Sequence, residues 1–338
     1  LSSLQTAAAL VAETHGGATT NDQPLIFAIN SQVPVGFGGM LEKRFGFSVA
    51  YIPENLRLGK GMETFLSADR TVIGANRTAT RQRLHVFLAG LKTQFLLCDL
   101  VTSEMIKHAT NAFLATSISF ANQLARIGES VGADNQIVGQ ALKLDGRIGS
   151  KAYVSPGLGF AGGTLPRDLR VLQQIGASNR ISTPLVDAVF EINETTTRAI
   201  SHTLHELLDG LTGRKIVLLG YSYKAETDTF RRSPSLALAQ ELNKAGAVVA
   251  GYDPMMNARD LAPLAGLIQH QSTWDAVLKL GADAVVVMTA RPEFRSLEWS
   301  RFRGFVFDTI SALDPDPIVT SGIPYKALWQ HLRRPENK

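Results

Sequence analysis

The chain contains one cysteine, Cys98, in 338 residues. A lone thiol excludes internal disulfides and thiolate metal cages, and it suits a reducing cytoplasm. It lies in the apolar run QFLLC and reads as a small core residue. No stretch reaches the roughly 18 uninterrupted apolar residues of a membrane span, so no membrane partner is expected. Neither sign of charge dominates. Lys+Arg 34 against Asp+Glu 30 leaves +4 without a basic stripe, which argues against nucleic acid as a partner. With 45% hydrophobic and 19% charged residues, the composition argues against a largely disordered or fibrous chain. The first residue is Leu1, and no signal-peptide pattern follows it. The length exceeds what one compact core usually holds, which implies two or three domains.

What the sequence does have is rhythm. The runs LIFAI at 25–29, FSVAY at 47–51, RTVIG at 70–74 and TQFLL at 93–97 predict four strands, most of them separated by helical stretches. That pattern is part of a parallel α/β sheet, whose ligands sit at the carboxyl ends of the strands. From Ser103 the period becomes helical: Ile106, Phe113, Phe120, Leu124, Ile127 and Val131 fall on one stripe of a long amphipathic helix. Gly132 stops it, and Asp134 caps the next helix at about 136–144. A glycine-rich loop leads into a helix through Leu172, and another helix covers about 183–211. At Gly213 the α/β rhythm resumes with KIVLLG, a helix at about 234–245, VVAGYDP, a helix at about 274–280, AVVVM and FVFD. This predicts a second open parallel sheet.

Three segments could carry chemistry. In PGLGFAGGTLPRD at 156–168, Gly157, Gly159, Gly162 and Gly163 let backbone approach a ligand, with Thr164 at the loop-to-helix junction and Arg167 and Asp168 in the first turn. The same letters describe a plain connector with Thr164 as N-cap and Pro166 in the first turn. Lys107 and Asn111 are four apart on the long helix, which sets an ammonium beside an amide and suits stabilisation of an oxyanion. A solvated lysine beside a helix-bridging asparagine would look identical. In YKAETDTFRRSP at 223–234, Lys224 and Arg231 follow the strand KIVLLG at its carboxyl end. No GxGxxG follows that strand, so this is not a standard dinucleotide loop. Asp253 in GYDP has the position of a ribose-binding acid, or it simply closes a strand-ending turn.

The order of the segments is more specific than any one of them. PVG at 34–36, PENLRLGKG at 53–61, SEMIKHATNAFLATSISFANQLARIGESVGAD at 103–134, LDGRIG at 144–149, the glycine loop, LLGYSYKAETDTFRRSP and GYDP together resemble the nucleotide-sugar dehydrogenases, of which the UDP-glucose 6-dehydrogenases are the best-known type. The resemblance implies an α/β chain in three parts: 1–100 as the C-terminal part of an NAD-binding Rossmann domain, 101–210 as a central helical dimerisation and active-site domain, and 211–338 as a UDP-sugar-binding α/β domain. It also implies NAD as cofactor, a nucleotide sugar as substrate, no metal, and a cytoplasmic homodimer formed through the central helix. The family's first βαβ unit with its GxGxxG has no counterpart here, so N-terminal truncation relative to the family is expected.

Carried over residue by residue, the resemblance makes Lys107 the oxyanion stabiliser, sets Asn111 beside the reacting carbon, and gives Asp168 a water to hold. Glu54 becomes an acid/base partner. Gly159, Gly162 and Gly163 line the substrate, Lys224 binds the sugar nucleotide, Arg231 the cofactor, and Arg147 reaches the partner subunit's substrate site. Gln32 occupies a cofactor-contacting position where the family has threonine. Further departures are Thr164 at the position of the nucleophilic cysteine, Leu165 and Arg167 for the usual Phe and Lys, Leu58 for an acidic residue, and Ile310 for an arginine. In the family reaction the C6 alcohol loses a hydride to NAD, cysteine captures the aldehyde, and a second hydride transfer leaves a thioester that water cleaves. A threonine hydroxyl is far less ionised than a thiol near neutral pH. The expectation is therefore NAD-dependent oxidation of a nucleotide sugar at C6. The alternatives are an oxidoreductase that stops after one step and a catalytically impaired binding or regulatory homologue.

Overall fold

The computed structural model describes all residues except 1, 16–18, 21–22, 54–60, 223–232, 257–260, 262–263 and 336–338. The chain forms two compact units, 1–111 and 112–338.

The first unit begins with the alanine-rich helix α1 (Ser2–His15) and a short antiparallel pair, β1 (Thr19–Thr20) and β2 (Gln23–Pro24). Then come β3 (Ile26–Ile29), α2 (Phe37–Phe45), β4 (Ser48–Tyr51), α3 (Gly61–Leu66), β5 (Arg70–Gly74), α4 (Thr78–Leu88) and β6 (Gln94–Cys98). The sheet order is β3-β4-β5-β6. β3 runs parallel to β4 and β5 to β6, whereas β4 and β5 meet only at an antiparallel bridge, Tyr51↔Gly74. This single bridge is the departure from a wholly parallel sheet. Ala8, Ile29, Val33, Phe37, Leu41, Val49, Tyr51 and Leu100 make the core. β4 is buried throughout, but the edge strand β6 leaves Leu96 and Leu97 exposed on opposite faces. Cys98 is accordingly half-buried, not a core residue, and burial pushes its thiol pKa up. Gly74 is required where the end of β5 meets the helix that follows β6, because a Cβ there would lie 1.8 Å from Ser103 Oγ.

Helix α5 (Leu100–Ser130) runs across the boundary between the units. In the second unit, α6 (Asn135–Leu144) starts with Asp134 accepting from the N–H groups of Gln136 and Ile137, as its sequence predicts. α7 (Thr164–Ser178) and α8 (Pro184–Leu207) complete the helical region. Most of the apolar stripe predicted for α5 does not face the chain's own core, although Ile106 and Leu124 are half-buried. Phe113, Phe120, Ile127 and Val131 are exposed, while the small residues Ala115, Ala121 and Ala125 are buried.

The second sheet comprises β7 (Lys215–Leu219), β8 (Val248–Tyr252), β9 (Gln269–His270), β10 (Ala284–Val287), β11 (Phe305–Asp308) and β12 (Tyr325–Ala327), with helices α9 (Pro234–Lys244), α10 (Trp274–Lys279) and α11 (Pro315–Thr320). Its order is β12-β11-β10-β7-β8-β9 and every pairing is parallel. Both faces are covered. Leu218, Val286 and Phe307 join Ile200 and Leu204 of α8 on one face, and Val217, Val285 and Val306 pack with Phe294 and Trp299 on the other. That is why these strands read as continuous apolar runs instead of alternating ones.

Candidate active site

In the first unit, the residues that flank Lys107 on the long helix hold a loop in place. The turn PVG ends in Gly36, whose φ of 90° is left-handed and which N-caps α2. The Glu104 carboxylate accepts the backbone N–H of Gly36 and, at 2.7 Å, that of Gly38. One turn on, His108 Nε2 bonds the carbonyl of Val33 at 3.0 Å. Glu104 and His108 are both buried and bracket Lys107, which is itself buried, as is Asn111. The loop carrying half-buried Gln32 is thus fastened to the helix that carries Lys107 and Asn111. Burial raises the Glu104 pKa, and the two N–H donors oppose that shift. Glu54 lies outside the described residues.

In the second unit, the glycine loop is anchored at three points. Gly157 donates its N–H to Asn122 Oδ1 of α5 at 2.8 Å. Phe160 donates its N–H to Asn193 Oδ1 at 2.7 Å, and its carbonyl accepts from Asn193 Nδ2 at 3.0 Å. The Phe160 ring meanwhile packs with Ala115, Leu169 and Val189 of the three surrounding helices. Gly159 and Gly162 take left-handed φ values of 85° and 82°, where a side chain is strained. A Cβ on Gly159 would also lie 2.4 Å from Asn193 Oδ1. The loop ends at Gly163, and this residue, not Thr164, is the N-cap of α7; Thr164 is the exposed first residue of the helix. Asp168, one turn in, is fully buried. A cavity of about 550 Å³ opens beside Gly162 and Gly163, with Arg167 and Arg170 on its wall.

Arg147 follows α6 and, with its side chain 90% exposed, grips Asp145 by two bonds of 3.0 and 2.6 Å. These hold the Asp145 carboxyl below its usual range. Lys224 and Arg231 lie outside the described residues. Asp253, the possible ribose acid, is turned inward: it accepts the N–H groups of Tyr221, Ser222 and Met255 and pairs with buried Arg291. Its side chain is not exposed, so Asp253 closes the strand-ending turn. Among the described residues no cluster of His, Cys, Asp and Glu could hold a metal ion, and no helix is long and apolar enough to cross a membrane.

Sequence reasoning missed Glu104, His108, Asn122 and Asn193. Asn122 and Asn193 lie 33–35 residues from the loop positions they hold, and no local pattern marks them. The letters of 157–162 do spell GxGxxG, but they follow no strand, so the pattern carries no dinucleotide meaning here.

A partial Rossmann-like sheet, a helical middle and a complete parallel α/β domain define a dehydrogenase architecture of the nucleotide-sugar class. Residues 101–195 match the central domain of the UDP-glucose/GDP-mannose dehydrogenase family, and 217–315 match its UDP binding domain. The UDP-glucose 6-dehydrogenase of Rickettsia bellii is 33% identical over 84% of this chain and 67% of its own length. That of Rhizobium meliloti is 33% identical over 90% of this chain and 73% of its own. Among solved structures, a UDP-glucose dehydrogenase from Pyrobaculum islandicum aligns at 30% identity with a TM-score of 0.81, covering 90% of this chain and 71% of that one. A UDP-D-ManNAc dehydrogenase from Pyrococcus horikoshii, at 24% identity and a TM-score of 0.80, shares the fold. The chain belongs to the UDP-glucose/GDP-mannose dehydrogenase family.

Proposed function

We propose that this protein oxidises the C6 alcohol of a UDP-hexose, with NAD as hydride acceptor, and works as a cytoplasmic homodimer. The observation that carries the reading is the glycine loop: three anchors fix its backbone, and it delivers Thr164 and buried Asp168 at the start of α7. The assignment of 1–100 to cofactor, 101–210 to dimerisation and catalysis, and 211–338 to the nucleotide sugar follows from the family resemblance.

A nicotinamide cofactor suits the carboxyl ends of β3 and β4, where Gln32 and the turn 33–36 lie. The N-terminus of α2 is not a phosphate site, because the Glu104 carboxylate already takes its first N–H groups. When bound, NAD supplies the acceptor for the hydride leaving C6. The protein's own task is to manage proton and charge. Lys107, held in a buried setting, stabilises negative charge developing on the C6 oxygen, and Asn111 donates a neutral hydrogen bond to the same region. Asp168 holds or activates the water needed to take an aldehyde to an acid, with Glu54 as acid/base partner. Gly159, Gly162 and Gly163 allow the sugar to approach backbone, Lys224 and Arg231 bind nucleotide sugar and cofactor, and Arg147 serves the neighbouring subunit. Thr164 offers a hydroxyl where the family uses a thiol, so the aldehyde is oxidised as its hydrate or released.

Incubating the protein with UDP-glucose and NAD, counting NADH per sugar and weighing the product tests this directly. NADH with a UDP-aldehyde or UDP-uronate product is expected. UDP-glucose binding without NADH would overturn the enzymatic reading in favour of a second one, a binding homologue that keeps the sugar-nucleotide site. Exposed Thr164 in place of the nucleophile is the observation favouring that alternative.

A further inference from the structure

In the second sheet the strand order reverses between β7 and β10, since β8 lies on one side of β7 and β10 on the other. Open α/β sheets bind ligands outside the carboxyl ends of the strands at such a point. Three segments leave β7, β8 and β10 there, and one buried polar knot ties them together. Asp253, after β8, accepts from the N–H groups of Tyr221 at 3.1 Å and Ser222 at 3.3 Å, both after β7. Arg291, after β10, lies 3.1 Å from Asp253 and donates to Ser222 Oγ at 2.7 Å. Thr289 Oγ1 donates to the carbonyl of Ser222 at 2.9 Å. The N–H, carbonyl and hydroxyl of one residue are thereby each held from a neighbouring strand. The side chains of Asp253 and Arg291 are 0% and 2% exposed.

Burying two opposite charges is costly, and an apolar pair of similar volume often serves stability as well or better. An apolar pair cannot, however, hold the N–H groups of Tyr221 and Ser222 and the Ser222 hydroxyl. We infer that Asp253, Arg291 and Thr289 are positioning residues for nucleotide-sugar binding: they fix Tyr221 and Ser222 at the ligand-facing edge of the sheet. This rests on reading 211–338 as the nucleotide-sugar domain. Fixing this turn before binding lowers the ordering cost of association.

The test uses UDP as probe, titrated calorimetrically into the whole chain, with thermal melting measured beside it. The double variant Asp253→Leu/Arg291→Met, which leaves the buried N–H groups of Tyr221 and Ser222 unpaired, is expected to melt below the parent but stay folded, and to bind UDP about tenfold or more weakly. Arg291→Lys, which keeps the charge and loses the planar fork, should bind more tightly than Arg291→Met and less tightly than the parent. A folded double variant that binds UDP within about twofold of the parent would overturn the inference. If the double variant does not fold, Ser222→Ala and Thr289→Val decide: each should weaken UDP by about threefold, and unchanged affinity in both overturns the proposal. A parent protein that binds no UDP at all overturns the domain reading and the inference together, a result unlike equal binding by parent and variants.

Discussion

Asn193 holds Phe160 by both polar groups of its backbone, accepting the N–H at 2.7 Å and donating to the carbonyl at 3.0 Å. A side-chain amide here does what a neighbouring strand would do, in a loop that has none. Replacing Asn193 with Leu leaves both backbone groups unpaired, and the expected cost is about 1–3 kcal/mol. Urea denaturation measures the loss, and faster amide exchange at Phe160 should accompany it. Unchanged exchange would mean that the apolar seat of the Phe160 ring alone holds the loop.

Two glycines of that loop should respond differently to alanine. Gly159 has a left-handed φ of 85° and no room for a Cβ, so Gly159→Ala should cost about 1–3 kcal/mol in strain and displace Asn193. At Gly157 nothing lies within 4 Å of an added Cβ and no left-handed φ is required. Gly157→Ala should therefore be within about 0.5 kcal/mol of the parent. Comparing the two in thermal melts and in UDP-glucose binding separates a conformational requirement from mere abundance of glycine.

Glu104 gives the first unit a pH dependence whose sign follows from its raised pKa. A carboxyl raised on folding binds its proton more tightly in the native state. Its stabilising share is present below the ordinary glutamate value of about 4.3 and is lost as pH rises through the folded value. Glu104→Gln should remove that slope, and at neutral pH it should weaken the grip on Gly36 and Gly38, since an amide offers one acceptor oxygen instead of two. Urea midpoints between about pH 4 and pH 7 are the measurement. A variant with the parent's slope would place the titration elsewhere.

Much of the fold is legible because it is local. The strand of RTVIG lies at 70–74 as read, the capping by Asp134 is confirmed, and Gly132 ends α5 with a left-handed φ of 80°. The short edge strands β9 and β12 carry two and three residues, too few to show a period. Periodicity revealed an apolar stripe on α5 but not what covers it: the chain packs its own core against Ala115, Ala121 and Ala125. At the site, the residue types were visible and their supports were not. The Glu104 clamp on Gly38 spans 66 positions, and the burial of Asp253 against Arg291 spans 38. Only folding brings such partners together, and a single sequence carries no trace of it.

That stripe motivates a prediction about assembly. Phe113, Phe120 and Ile127 of α5 and Val131 just after it are 72%, 51%, 58% and 75% exposed, an apolar face of the kind that marks an interface. We expect a two-fold dimer through it. Because these side chains are not part of the chain's own core, Phe113→Glu with Phe120→Glu should give a folded monomer by light scattering, with helical circular dichroism retained. A parent protein that is monomeric at micromolar concentration would remove the basis for the prediction.

Thr164 sets the last expectation, which concerns the order of chemical events. It is the exposed first residue of α7, beside a cavity of about 550 Å³, and the chain's one thiol, Cys98, lies on β6. A neutral hydroxyl there needs a base to become a nucleophile, whereas a thiol is partly ionised already and a helix N-terminus lowers its pKa further. Turnover by the parent should therefore pass through no covalent thioester. Two courses remain: one NADH per sugar with release of the aldehyde, or two when the hydrated aldehyde gives up a second hydride. The second course needs water held at the carbon, so Lys107→Ala should slow it more than the first. Thr164→Cys should restore capture of the aldehyde as a thiohemiacetal, whose oxidation by a second NAD yields a thioester and a second NADH. Mass spectrometry of acid-quenched protein would then show a sugar-nucleotide adduct on Cys in the variant and none in the parent. An acyl adduct on Thr164 itself in the parent would show that the hydroxyl is the nucleophile and that its low ionisation is overcome by a neighbouring base.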